Sequence, residues 1–190
     1  MVQAGLELAD ESGLEALTTR ALARKLGVSH AAPGRHFPQR SLLLAEVAAA
    51  AFELFTQALS AASARAEPKA AFAAMGRAYV RFGLAHPGLV RLMFSPEIAQ
   101  MGESPERLTT ASAAAYAVLE GGARTALGSR ANPKRVESAA FLGWSTAHGA
   151  LTLWLDGPMR HELADGEAHK RFLILADAAI ESVSVAIAAM

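Results

Sequence analysis

The stretch of sequence that decides the fold is residues 17–44, LTTRALARKLGVSHAAPGRHFPQRSLLL. If Thr19 is the first position of a helix-turn-helix, apolar side chains stand where two crossing helices must bury them. These side chains are Leu22, Leu26 and Val28. Gly27 stands where the turn needs a positive φ, a conformation that costs other residues energy. The spacing therefore predicts two short helices joined by a tight turn.

Basic side chains are concentrated in the same segment. The 18 basic and 18 acidic residues of the whole chain cancel, so its overall charge indicates no partner. Between Ala16 and Ala45, however, there is no acidic residue, while the basic ones and histidines are Arg20, Arg24, Lys25, Arg35, Arg40, His30 and His36. Charge runs usually just solvate a surface helix. Here the acid-free window coincides with the helix-turn-helix, which favours nucleic-acid binding.

The segment resembles the DNA-binding region of the TetR family of bacterial transcriptional regulators. The resemblance covers residues 1–47 and depends on motifs that recur in one order: Leu17-Thr18-Thr19-Arg20, Leu22-Ala23, Gly27-Val28-Ser29, His36-Phe37 and Arg40. It implies a three-helix DNA-binding head, residues 1–46. It also implies a larger helical body, residues 47–190, that binds a ligand and forms dimers.

Composition points to an all-α protein of about nine helices. Apolar residues make up 52% of the chain, and alanine and leucine dominate without the alternation typical of strands. The absence of cysteine rules out disulfides and thiolate zinc sites and fits a reducing cytosol. Acidic residues at Glu7, Asp10 and Glu11 interrupt the first apolar run, so no signal peptide is expected. We expect a cytoplasmic protein without a membrane span.

The predicted recognition helix is residues 30–36, with Ser29 as its N-cap. Side chains near the N-terminal end of such a helix read base edges, while flanking groups hold phosphates. Arg35 can fork onto a guanine, and the hydroxyls of Thr18 and Thr19 suit phosphate contacts. The resemblance implies that Arg40 grips the DNA backbone. The predicted DNA-binding residues are Thr18, Thr19, Ser29, His30, Ala31, Ala32, Arg35, His36 and Arg40.

Two features depart from the family pattern. Pro33-Gly34 replaces an apolar residue followed by tyrosine. The basic arm that usually precedes the first helix is not seen before Val2, so we expect either that the start is trimmed or that those phosphate contacts are lost. Pro33 forfeits one early helical hydrogen bond at most. Gly34 costs about 1 kcal/mol in a helix interior and removes a ring that contacts a phosphate in the family. Weak or unusual DNA recognition is the expected consequence.

A second telling stretch is residues 141–157, FLGWSTAHGALTLWLDG. Trp144 followed by His148-Gly149 resembles the Trp-His-Gly type of C-terminal domain in the TetR family. That resemblance implies a pocket for a small apolar ligand, since aromatic and methionine side chains make adaptable apolar linings. For any single residue a plain core position is the commoner role. The candidate lining is Met75, Tyr79, Phe82, Met93, Phe94, Tyr116, Trp144 and His148.

No metal or other cofactor is expected. His148 lies on an apolar helix face, where a hydrogen-bonded core histidine is commoner than a metal ligand. The remaining body histidines, His86, His161 and His169, lack the helical pairing or acidic companion of a metal site.

The family resemblance also implies a homodimer that joins the last two helices of each subunit. The last helix carries an apolar stripe with small residues that permit close packing. The predicted interface is Phe172, Ala176, Ala179, Ile180, Val183 and Ile187, with Leu175 on the same stripe. A two-fold dimer implies a palindromic operator in double-stranded DNA.

Three functions remain open from the sequence. The leading one is a ligand-responsive transcriptional regulator, a repressor released from its operator by a small apolar effector. The second is a helical binding or sequestering protein whose DNA reading has weakened. The third, an all-helical enzyme, is disfavoured because the chain offers no nucleophile–base pair, phosphate loop or metal cluster.

Overall fold

The computed structural model describes residues 1–102, 104–157 and 166–190, and every regular element in those residues is helical. The all-α class predicted from composition is confirmed. The helices are α1 (Val2–Ser12), α2 (Thr19–Leu26), α3 (Ala31–His36), α4 (Arg40–Arg65), α5 (Ala71–Ala85), α6 (Pro87–Met93), α7 (Pro96–Ala99), α8 (Glu106–Leu127), α9 (Pro133–Leu155) and α10 (Gly166–Ala189). Short 3-10 turns occupy Leu14–Ala16 and Gly128–Arg130.

Local signals in the sequence place several helix ends correctly. The hydroxyl of Thr18 accepts a hydrogen bond from the Ala21 amide at 3.1 Å and caps α2. Gly27 ends the same helix with a φ of 66°, the left-handed conformation expected of the turn. Asn132 caps α9 through the Arg135 amide at 3.0 Å. Each signal acts through the nearest turn of backbone, which is why sequence alone reveals it.

The start of α3 differs from the prediction. Ser29 does not cap it, since His30 occupies the cap position and makes no side-chain cap hydrogen bond. The backbone of His30 is already helical (φ −57°, ψ −25°). The Ala32 amide donates to the backbone carbonyl oxygen of Ser29 at 3.0 Å. The helix is six residues long. Pro33 is its third residue, where the missing N–H costs no intrahelical bond.

Packing divides the chain into two compact units. The first unit is Met1–Leu54 with His86–Ala115, and the second is Phe55–Ala85 with Tyr116–Met190. In the first unit α1 packs on α2 and α6, and α2 packs on α3. In the second, α5, α9 and α10 pack on one another. The domain boundary expected at residue 46 stays a prediction, and α4 runs through that position without a break.

The core of the second unit covers much of the stripe that was predicted to form a dimer interface. Phe172, Ala176 and Ile180 pack with residues of α5, and Ile187 is buried beside Phe72. Ala179 and Val183 are half-buried. Helical periodicity shows that a stripe is apolar, but not whether its own chain already covers it. In this structure the chain's own core covers most of the stripe. A second subunit would therefore have to contact a different face of α10.

That other face is apolar and exposed. On α10, 69% of Ile174 and 62% of Val185 are accessible, and Leu175 is also exposed. On the neighbouring α9, Phe141 and Leu153 are exposed. Among the residues that the structure describes, two helices are long and apolar enough to cross a membrane by length and composition alone, α4 and residues 167–189 of α10. In α4, 61% of the apolar window is buried inside the chain, and in α10 28% of it is. Large exposed apolar patches of this kind mark interaction surfaces.

Candidate nucleic-acid interface and ligand site

The recognition helix α3 has an inner and an outer face. Pro33 and Phe37 are buried and hold the helix in the first unit. Ala31, Gly34 and Arg35 are exposed at spacings of three and four residues, which places them on one face of a helix. Within α3 this face carries one long side chain, that of Arg35, and the exposed His30 precedes it at the cap position, four residues before Gly34.

In the folded chain, the basic residues of the acid-free window differ in whether an acidic side chain pairs with them. Arg20, Arg24 and Arg35 are exposed and pair with no acid in the described residues. Lys25 differs, because its Nζ lies 3.1 Å from a carboxylate oxygen of Glu11 and 3.1 Å from one of Glu7, both on α1. These hydrogen bonds, that to Glu11 first, raise the pKa of the Lys25 ammonium. Its charge is thus matched locally by acids outside the window.

Two residues predicted to contact phosphates, Arg40 and Thr18, also form hydrogen bonds within the chain. The Nε of Arg40 donates to the carbonyl oxygen of Leu17 at 3.3 Å, and Nη2 donates to that of Leu14 at 2.9 Å. This guanidinium ties the start of α4 to the segment before α2. Thr18 accepts the capping bond of α2, which leaves its hydroxyl proton to donate.

The other predicted DNA contacts differ in exposure. Thr19 and Ala32 are half-buried, whereas Ser29, His30 and His36 are exposed with Arg35. The exposed members therefore lie on α3 or directly beside it in the sequence. Thr18 and Thr19 lie at the start of α2, and Arg40 lies at the start of α4.

In the second unit, α5 and α9 meet at a hydrogen-bonded pair of polar side chains, the buried Tyr79 and the half-buried His148. The Tyr79 hydroxyl lies 2.7 Å from Nδ1 of His148, and Tyr79 also bonds to the side chain of Trp144. An indole can only donate. In the arrangement that satisfies all three groups, Trp144 donates to the tyrosine oxygen and the tyrosine O–H donates to Nδ1. His148 then carries its own proton on Nε2.

Burial keeps this pair uncharged. It raises the pKa of Tyr79, with the Trp144 hydrogen bond as a smaller opposing effect, and it lowers the pKa of His148. Aromatic rings surround the pair edge-on: Phe55 lies 4.9 Å from Tyr79 between ring centres, and Tyr116 lies 6.4 Å from Trp144. The cluster combines a large apolar surface with a few neutral hydrogen-bonding groups.

The predicted pocket residues do not all fall in one unit. Met75, Tyr79, Phe82, Tyr116, Trp144 and His148 belong to the second unit, whereas Met93 and Phe94 belong to the first. Met93 is buried, and the ring of Phe94 packs on that of Phe52 at 5.9 Å. The residues near Trp144 therefore remain the candidates for a ligand site within the second unit.

The surface beside this cluster is polar, which the sequence did not lead us to expect. Tyr116, 37% exposed, lines a groove of about 490 Å³. The other lining residues are Glu120, Arg124, Pro133, Lys134, Val136 and Glu137. They come from α8 and the start of α9, which lie side by side only after folding, so no sequence motif marks them.

The neutral state of His148 makes a pH-dependent contribution to stability. Because burial lowers its pKa below the ordinary 6.5, the unfolded chain takes up this proton at a higher pH than the folded chain. We expect the contribution to be fully present above about pH 6.5 and lost as the pH falls through the lower, folded value. Urea unfolding across this range should show a flatter pH profile for His148→Asn than for the wild type. Equal profiles would contradict the burial argument.

Two protein-family models match this chain, one over each part. The family model described as "Bacterial regulatory proteins, tetR family" matches residues 2–47, and the one described as "Tetracyclin repressor-like, C-terminal domain" matches residues 72–176. The Trp-His-Gly subtype stays a prediction. No curated protein matches the chain.

Several solved structures share the fold. A protein with unknown function from Rhodococcus sp. RHA1 is 28% identical, with 98% of this chain and 91% of that chain covered and a TM-score of 0.74. A possible TetR family transcriptional regulator from Streptomyces coelicolor A3(2) is 18% identical, with 97% of each chain covered and a TM-score of 0.64. A TetR variant from Acinetobacter baumannii AYE, in complex with minocycline, is 20% identical, with 95% and 92% covered and a TM-score of 0.58.

The C-terminal model alone spans more than half of the 190 residues, and the N-terminal model coincides with the helix-turn-helix. This chain belongs to the TetR family of bacterial regulatory proteins.

Proposed function

We propose that this protein is a ligand-responsive transcriptional repressor that leaves its operator when a small apolar effector binds. The observation that carries the proposal is the exposed outer face of α3, free of acidic residues, inside the segment matched by the family's DNA-binding model. A dimer would present two such helices to a palindromic site in double-stranded DNA. The protein would work in the cytoplasm.

In this proposal the residues of the head divide into two groups. Arg35, with Ser29, His30, Ala31 and Ala32, would face base edges, and Thr18, Thr19 and His36 would hold phosphates. Arg40 would act mainly by holding the start of α4 in place, since two of its N–H groups are bonded to backbone carbonyls.

The effector would bind at the aromatic cluster of the second unit. The neutral pair Tyr79–His148 supplies hydrogen-bonding groups, and the rings of Trp144 and Phe55 supply apolar surface. That a TetR variant of the same fold is seen in complex with minocycline supports a small molecule as effector. To act as a switch, the effector must favour one conformation over the other by about 1–3 kcal/mol.

The homodimer would form through the exposed faces of α9 and α10. Ile174, Val185 and Phe141 are largely uncovered in the single chain, and burying such surface drives association. Small residues on the same faces, Gly149, Ala178 and Ser182, permit two helix pairs to approach closely.

A genomic-fragment binding selection with the purified protein, at low and at physiological salt, tests the proposal. Enrichment of one short palindromic site that survives physiological salt is the expected result. Release of that site by extracts or compounds that also raise the melting temperature would identify the effector class. Binding that spreads over all fragments and vanishes with salt would contradict a sequence-specific regulator.

The six-residue length of α3 and its Gly34 favour one alternative function. In it, the protein is a helical binding or sequestering protein whose head contacts only DNA phosphates and does not read the base sequence. The salt dependence in the same selection separates the two. Catalysis forms no part of the proposal. Turnover of a bound compound that His148→Ala abolishes would revive an enzyme.

A further inference from the structure

Gly34 has no reason within the chain to be glycine. It lies in α3 with ordinary helical backbone, since the glycines with positive φ in the described residues are Gly13, Gly27 and Gly128. A Cβ added at Gly34 would meet no atom within 4 Å. Gly83 shows the contrast, because a Cβ there would lie 2.0 Å from Leu151. Glycine disfavours a helix relative to alanine. Gly121 of α8 also has open space around its Cβ position, so what distinguishes Gly34 is its place on the exposed face of the recognition helix.

Its neighbours on the outer face have the same character. Ala31 ends at Cβ, and among the exposed residues at positions 31, 34 and 35 only Arg35 extends further, with His30 just before them at the cap. An α-helix with ordinary side chains is about 10–12 Å across, which nearly fills a major groove about 12 Å wide. A helix bare at two of three facing positions can lie deeper, with its backbone close to the DNA.

We propose that Gly34 is a close-approach position and that Arg35 is the one side chain of this face that forks onto a base. Each half-site of the operator is then specified chiefly by a single guanine, whose O6 and N7 atoms accept the two guanidinium bonds. The methyl of Ala31 adds only an apolar contact. This inference rests on the proposed function, and it names the operator chemistry that α3 can read.

Selection from a randomised palindromic library tests the role of Arg35. The wild type should enrich half-sites with one dominant guanine. In Arg35→Ala, discrimination at that base should fall by about 5- to 150-fold. The matched control is Arg20→Ala, an exposed arginine of α2, which should retain the guanine preference. If Arg35→Ala also retains the guanine preference, Arg35 does not read that base and the proposal is contradicted.

Stability and affinity together test the role of Gly34. Gly34→Ala should raise the melting temperature by about 2–4 °C yet weaken binding to the selected site at least tenfold. Gly121→Ala is the control, since its Cβ also meets nothing within 4 Å and it lies on α8. That variant should gain stability without losing affinity. Unchanged affinity in Gly34→Ala would overturn the close approach. If the wild type selects no site at physiological salt, it is the proposed function that fails.

Discussion

Replacing Gly88 with alanine is expected to destabilise the fold by about 3 kcal/mol or more, at the upper end of overpacking effects. A Cβ at this position would lie 2.1 Å from the carbonyl oxygen of Ala9 and 2.6 Å from the Cα of Asp10. Both atoms belong to the backbone of α1 and cannot rotate away. The helix α6 would have to separate from α1, and the nearby pair of His86 Nδ1 and Asp10 Oδ2, 2.7 Å apart, would be strained with it.

Urea unfolding of Gly88→Ala and of a control measures this effect. Gly121→Ala introduces the same methyl group into open space, so it should leave stability unchanged or raise it by about 1 kcal/mol. Wild-type stability in Gly88→Ala would show that α1 and α6 do not meet as closely as the structure describes.

The second large effect concerns two isoleucines of α10. Ile174 is 69% exposed in the single chain, whereas Ile180 is only 5% exposed and lies in the core of the second unit. If the exposed face forms the dimer, Ile174→Asp buries an unpaired charge in each subunit. Such a charge costs several kcal/mol, so the dimer dissociation constant should rise by about a thousandfold or more. The subunit itself should stay folded.

Ile180→Asp is the matched variant on the same helix. It places the charge in the chain's own core, so we expect the subunit to unfold rather than merely dissociate. Sedimentation and circular dichroism together separate the two outcomes. A folded Ile174→Asp that remains a dimer at micromolar concentration would rule out this face as the interface. If Ile174→Asp loses both dimerisation and operator binding, operator binding depends on the dimer.

Much of this protein is visible in its sequence because the relevant signals are local. The hydroxyl of Thr18, the positive φ of Gly27 and the cap at Asn132 each act within one turn of backbone. The same locality allowed the helix-turn-helix, the all-α class and the TetR family to be predicted. Ser29 marks the limit, since a helix end that shifts by one residue changes which side chain can cap it.

Other properties depend on residues distant in the sequence, and these emerged only in the folded chain. Lys25 stands in an acid-free window, yet Glu7 and Glu11 reach it from α1. Tyr79 and His148 are 69 positions apart before α5 and α9 pack together. The stripe on α10 reads as apolar in any arrangement, but packing against α5 covers Phe172 and Ile180 and leaves Ile174 exposed. Periodicity defines the faces of a helix, whereas burial and charge pairing depend on its neighbours.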